Sequence, residues 1–185
     1  IYEFIQKSGG RIRFLRREKG ARASEYDSLP ISIGALRVEG DRKSGKSGNM
    51  NLTIENADGR AKYLFIVDAD SSLRGEALKQ IVSAAENEEA CGSRIGFVQS
   101  LCYCMNAKEN ALTKVIDVTS RLYTRSILPL RTASGNVANS GHGNLISMEA
   151  LREVGGIPDH ISEDLALALE LIFSKKDFKA MLVLT

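Results

Sequence analysis

Apolar positions along this chain fall into two rhythms: short unbroken or alternating runs, and longer stretches that repeat every three to four residues. Residues 11–15 alternate and read as a strand, and a second possible strand covers 31–38. These lie in or beside a long polar stretch, residues 17–48, whose Gly and Lys density reads as an extended loop or insertion. Residues 49–57 read as a short helix. Residues 63–67 are an unbroken apolar run that stops at Asp68, as a strand buried on both faces does. The stretch 76–90 places Ala77, Leu78, Ile81, Val82 and Ala85 on one helical stripe. A strand at 95–99 and a mostly helical stretch at 106–126 follow, then a Gly-, Ser- and Asn-rich loop at 129–144. Ser147 can cap a helix running to Val154 and stopped by Gly155 and Gly156; Ser162 can cap another from Glu163 to about Ser174. The chain ends in a strand-like run at 181–184. Alternation of strand and helix predicts an α/β layered domain with a mostly parallel sheet.

Composition narrows the classes without choosing among them. The 185 residues suffice for one domain with a real core, and 43% hydrophobic with 26% charged residues is a globular balance. A net charge of +2 gives no electrostatic case for nucleic acid as a partner. No apolar run approaches the roughly 20 residues of a membrane helix. Cys91, Cys102 and Cys104 have no metal or redox spacing and read as reduced thiols in a cytosolic core. Asn51-Leu52-Thr53 fits a glycosylation acceptor but reads as chance without a secretion signal. The chain does not begin with Met, and a segment of a longer protein, incomplete at both ends, is expected.

The chemistry concentrates at the ends of the apolar runs. Asp68-Ala69-Asp70 follows a strand, where ligands sit in open α/β sheets. Two carboxylates at this spacing can share a hard cation, Mg²⁺ or Mn²⁺, with a diphosphate, although the same pattern alone also reads as a solvated turn. Gly45-Lys46-Ser47-Gly48-Asn49-Met50-Asn51 opens a helix where backbone N–H groups and Lys46 favour an anion; a flexible basic loop reads the same way. Glu163-Asp164 starts an apolar helix, whose dipole favours acids there and would keep Asp164 ionised as a general base. Ser140-Gly141-His142-Gly143-Asn144 is small enough to let a sugar lie against backbone, and His142 reads equally as a loop histidine.

Residues 40–47 also match the P-loop pattern, with the strand ending at Asp68 as a metal-binding partner. The short separation between the two leaves little room for that fold. It also leaves Asp70, the glycine-rich loop and Glu163-Asp164 without roles.

Taken in order, the segments resemble family 2 glycosyltransferases, particularly the cellulose-synthase-like and other processive members. Carrying the resemblance are Lys46-Ser47-Gly48-Asn49-Met50-Asn51, the strand into Asp68-Ala69-Asp70, and Ile95-Gly96-Phe97-Val98-Gln99. The stretch from Gly143 through Gly155-Gly156 to Ser162-Glu163-Asp164 completes it. It covers about residues 10–185. The family's Thr-Glu-Asp stands here as Ser-Glu-Asp, its first strand would precede residue 1, and its QxxRW motif would follow residue 185. The resemblance implies a partial catalytic domain of GT-A type, a Rossmann-like nucleotide-sugar-binding sheet flanked by helices. It implies an inverting transfer of a hexose from a nucleotide-diphosphate sugar, UDP-linked, to a hydroxyl of a glycan or lipid acceptor. Asp68 and Asp70 would hold the metal; Lys46, Asn49, Asn51 and Asp68 the donor diphosphate. Gly141, His142, Gly143 and Glu163 would face the acceptor, and Asp164 would be the base. Attachment to the cytoplasmic face of a membrane would come through regions outside this chain. The competing readings are the P-loop nucleotidase and a glycosyltransferase-like binding domain without turnover.

Overall fold

The computed structural model describes residues 14–18, 35–39, 45–68, 70–72, 74–174 and 177–183. The chain divides into two compact units, Ile1–Ala57 and Asp58–Thr185.

In the first unit β1 (Phe14–Glu18) pairs in parallel with β2 (Ala35–Glu39), Phe14 opposite Ala35 and Glu18 opposite Glu39. Helix α1 (Gly45–Glu55) follows. It begins at Gly45, ahead of the expected residue 49, because the glycine-flanked Lys46 and Ser47 join its first turn, with Ser47 and Leu52 buried. The long stretch 17–48 thus contains a strand and a helix start, and its other residues lie outside the described ones.

The second unit is built on β3 (Tyr63–Ile66), β4 (Arg94–Ser100), β5 (Asn144–Ser147) and β6 (Phe178–Val183), in the order β3-β5-β4-β6. Strand β5 is antiparallel to both neighbours, whereas β4 and β6 are parallel. Three of the four strands therefore run one way, and β5, inserted between two of them, makes the sheet mixed where a mostly parallel one was expected. Strand β3 has a hydrogen-bonded neighbour on one side only among the described residues. Its Tyr63, Leu64 and Phe65 are accordingly half-buried and only Ile66 is buried, short of the two-sided burial its composition suggested.

Helix α2 (Gly75–Ala90) covers one face, where Ile81 and Ala85 pack with Ile95, Val98 and Leu145. Phe97 and its cross-strand partner Ile146, both fully buried, take the opposite face, where α5 (Met148–Val154) and α6 (Glu163–Phe173) contact β4. Ser147 caps α5 as expected, its hydroxyl accepting from Ala150 N at 3.3 Å, and Gly155 ends the helix in the left-handed region at φ 85°. Ser162 stands at the N-cap of α6 but its side chain makes no cap bond; the carboxylate of Asp164 accepts from Leu165 N instead, at 2.8 Å.

Between β4 and β5 the chain is more helical than its composition suggested. Helix α3 (Ala111–Leu122) opens with a reciprocal capping box between Asn110 and Thr113. A π-helical turn (Tyr123–Ile127) and α4 (Leu128–Ala133) continue it into the region read as loop. Pro129 has no N–H to give, and just ahead of it the ladder widens, Leu128 N–H reaching Tyr123 O. Among the described residues no helix is long and apolar enough to cross a membrane.

Candidate active site

The directions of β3 and β4 bring their carboxyl ends to the same edge of the sheet, beside the loop that enters β5. Gly143 stitches this edge together. Its N–H donates to Ile66 O at 2.8 Å, and its carbonyl accepts from Ser100 N at 2.9 Å and from Ser100 Oγ at 2.6 Å. Past Ile66 the chain reaches Asp68, half-buried, and turns, Ser71 N donating to Asp68 O at 3.0 Å; Asp70 on this turn is exposed.

The loop 139–143 is held by amides that the sequence reading left without a role. Gln99, fully buried at the end of β4, donates through Nε2 to Ser100 O at 2.8 Å and to His142 O at 3.0 Å. Its Oε1 accepts from Ser140 N at 2.9 Å. Asn139 Oδ1 accepts from Gly141 N at 2.9 Å and also from Nδ2 of the fully buried Asn144. Such groups are buried because they satisfy the backbone of a loop with no ladder of its own. The signal was present: a polar residue closing an otherwise apolar strand, and asparagines flanking a glycine-rich turn.

Gly141 and Gly143 have φ of 74° and 61°, in the region that favours glycine. Space requires them too. A Cβ at Gly141 would lie 2.9 Å from Asp164 Oδ2, and one at Gly143 would lie 2.7 Å from Cys102 Sγ. The carboxylate of Asp164, in the first turn of α6, therefore lies directly against the loop. On the next residue, His142 Nδ1 donates to Ser140 O at 3.0 Å and stands 3.7 Å from Asp68 Oδ2. A hydrogen bond with Cys102 is the main cause holding the imidazole above its ordinary pKa. The Ser140 carbonyl and Asp68 add to it, against partial burial.

The expected residues thus fall into two groups. Asp68, Gly141, His142, Gly143 and Asp164 are contiguous, with Asp70 on the turn beside Asp68 and Glu163, half-buried, beside Asp164. Lys46, Asn49 and Asn51 lie on α1 in the first unit, Lys46 and Asn49 exposed and Asn51 half-buried. Asp68 and Asp70 offer hard oxygen donors of the kind Mg²⁺ and Mn²⁺ prefer. Among the described residues no three His, Cys, Asp or Glu groups gather to hold an ion alone.

Taken together, the architecture is that of an α/β domain with a carboxylate-lined edge where strands β3 and β4 end. Residues 63–181, more than half of the chain, match the glycosyl transferase family group 2, and the chain belongs to that family. It is similar to the protein named "Glucans biosynthesis glucosyltransferase H" from Xanthomonas campestris pv. campestris. In each of three strains it is 25% identical over 175 residues, covering 85% of this chain and 26% of the relative. The chain thus spans about a quarter of the length of these relatives. The family match takes in the strand leading to Asp68, the loop at 139–143 and Asp164. The P-loop reading finds its flanking strand and helix, β2 before Gly40 and α1 from Gly45, but its loop residues 40–44 lie outside the described ones, and the family match, residues 63–181, lies elsewhere in the chain.

Proposed function

We propose that this domain transfers a hexose, with inversion, from a nucleotide-diphosphate sugar to a hydroxyl of a glycan or lipid acceptor at the cytoplasmic face of a membrane. UDP-glucose is the donor to test first, because the similar proteins are named glucosyltransferases. The observation that carries this reading is that both carboxylates reach the two-residue step Gly141-His142, Asp164 at Gly141 and Asp68 at His142.

Asp68 and Asp70 would hold Mg²⁺ or Mn²⁺. When bound, such an ion offsets the charge that builds on the departing diphosphate. Lys46, Asn49 and Asn51 on α1 offer a cation and amides of the kind that suits a diphosphate. Asp164 acts on the acceptor. Its Oδ1 is held by Leu165 N–H, which fixes the carboxylate and leaves Oδ2, on the Gly141 side, to take the hydroxyl proton. The acceptor oxygen then attacks the anomeric carbon from the face opposite the leaving group, and one displacement inverts it. The bare backbone of Gly141 and Gly143 lets a sugar ring approach, while His142 and Glu163 offer it hydrogen bonds.

Asp164→Asn tests the assignment, since the amide oxygen can still accept from Leu165 N–H but the group cannot take a proton. UDP release from UDP-glucose with Mg²⁺ or Mn²⁺ should fall by about 10²–10⁴-fold, with the donor Kd unchanged by calorimetry. Turnover near that of the parent removes Asp164 from the mechanism. Donor binding with no turnover in the parent, assayed within the longer protein, assigns the domain to binding alone.

A further inference from the structure

Helix α3 is turned inside out. Its polar positions Thr113, Asp117 and Ser120 face the protein, Asp117 only 8% exposed, with Oδ2 accepting from Arg121 Nε at 2.7 Å. Its aliphatic stripe faces away: Leu112 is 69% exposed, Val115 63% and Leu122 59%, with Ile116 beside them. Spacings of three, four and seven put these side chains on one face of the helix. Exposed leucines scattered singly are ordinary, but a contiguous stripe is covered by something. At the end of the π-helical turn and just past it, Ile127 and Leu130 are exposed as well.

The charges around the stripe indicate what covers it. Residues 111–133 carry Lys114, Arg121, Arg125 and Arg131 against Asp117 alone, an excess larger than the +2 of the whole chain. An aliphatic stripe edged by cations is the chemistry of a helix that lies in the headgroup region of an anionic bilayer. Protein partners draw their binding energy chiefly from Trp, Tyr and Arg anchors at the centre of the patch, whereas this stripe is Leu, Val and Ile, of which such centres use Leu and Val little, with its cations beside it. We propose that residues 111–133 form a membrane-docking surface, α3 lying in the plane of an anionic lipid surface with its aliphatic stripe among the acyl chains and its cations at the phosphates. This goes beyond the glycosyl-transfer reading and does not depend on it.

Co-sedimentation of the 185-residue chain with vesicles tests it. Vesicles of phosphatidylcholine with phosphatidylglycerol should take up the chain, less so as salt rises, and vesicles of phosphatidylcholine alone should take up far less. The pair Lys114→Gln and Arg125→Gln should weaken uptake by roughly 30-fold. The triple change Leu112→Gln, Val115→Gln and Leu122→Gln should abolish it, by a factor on the order of 100 or more. All five side chains are exposed, and Arg125 gives up a contact over the Tyr103 ring at 5.8 Å, so circular dichroism should match the parent and the thermal midpoint should change little. Because the charge pair leaves the stripe intact, it tests the proposal even if the triple variant misfolds. Absence of uptake on anionic vesicles overturns the proposal, as does uptake indifferent to both variants. A parent dimer that the triple variant dissolves, with no vesicle uptake, overturns it in favour of a second copy of this chain.

Discussion

The two edges of the four-stranded sheet use opposite means to hold carboxylates. At the edge where β3, β4 and β6 begin, acids meet cations in the open. Lys62 Nζ lies 2.7 Å from Glu89, Lys179 Nζ lies 2.6 Å from Glu88, and Arg94 bridges Glu149 and Glu153 while its guanidinium covers the Phe178 ring at 4.4 Å. At the edge where β3 and β4 end, Asp164 and Asp68 reach a loop fixed by neutral amides, Gln99, Asn139 and Asn144, with His142 in it and Cys102 beside Gly143. Ion pairs at the first edge each contribute little and tolerate replacement. Amides at the second are buried and fixed in direction. The lesson is one of division: the sheet's starting edge is fastened by exchangeable surface charge, and its finishing edge is preorganised by buried amides.

The sharpest break between the edges should appear in turnover. Asp164→Asn should cost UDP release about 10²–10⁴-fold with the thermal midpoint unchanged, whereas Glu149→Gln at the opposite edge should leave turnover at the parent value. Equal losses from both would dissolve the distinction. Gln99→Leu comes next, because its amide serves three backbone groups at once. With Ser140 N–H and His142 O deprived of partners inside the protein, stability should fall by about 1–3 kcal/mol, read from urea midpoints. Turnover should fall with it, since the loop against Asp164 loses its anchor. Unchanged stability would mean that water replaces the amide and that the anchoring is not intrinsic.

Gly141→Ala should act through geometry. Its φ of 74° costs an L residue roughly 1–2 kcal/mol, and the added methyl would sit 2.9 Å from Asp164 Oδ2, pushing the carboxylate off the loop. Turnover should drop while α6 remains folded by circular dichroism. Gly59 supplies the control: a Cβ there meets nothing within 4 Å, and Gly59→Ala should be silent in turnover.

How much of this was readable beforehand follows from what each residue answers to. The strand into Asp68, the stripe of α2 and the Ser147 cap were legible because period and capping chemistry are local. The direction of β5 was not, since antiparallel insertion between β3 and β4 is a long-range pairing that an alternating strand–helix pattern does not encode. The amide clamp at Gln99 was hidden for the same reason: its partners, Ser140 and His142, lie more than forty residues away. The helical stretch 128–133 looked like loop because residues 129–144 as a whole are Gly-, Ser- and Asn-rich, although those residues cluster from Ser134 on and Pro129 is tolerated in the first turn of a helix. Candidate residues Asp68, His142 and Asp164 could be named from type and order. That Gly141 is the surface against which Asp164 rests required coordinates.

The smallest expected effect sharpens the comparison from the starting edge. The Lys179 ammonium, hydrogen-bonded to Glu88, holds that carboxyl below its usual range, with Ser93 assisting and slight desolvation opposing. A depressed folded pKa means stability that is present above the ordinary Glu value of 4.5 and is lost as pH falls through the depressed value. Lys179→Gln should therefore lower the thermal midpoint slightly at neutral pH. That difference should shrink to nothing as acid protonates Glu88, and added salt at neutral pH should shrink it too. Turnover should be indifferent throughout. A parent–variant gap that persists unchanged in acid would show that Lys179 contributes by packing its stem on β6 rather than by charge, and the starting edge would then owe less to ion pairs than its geometry suggests.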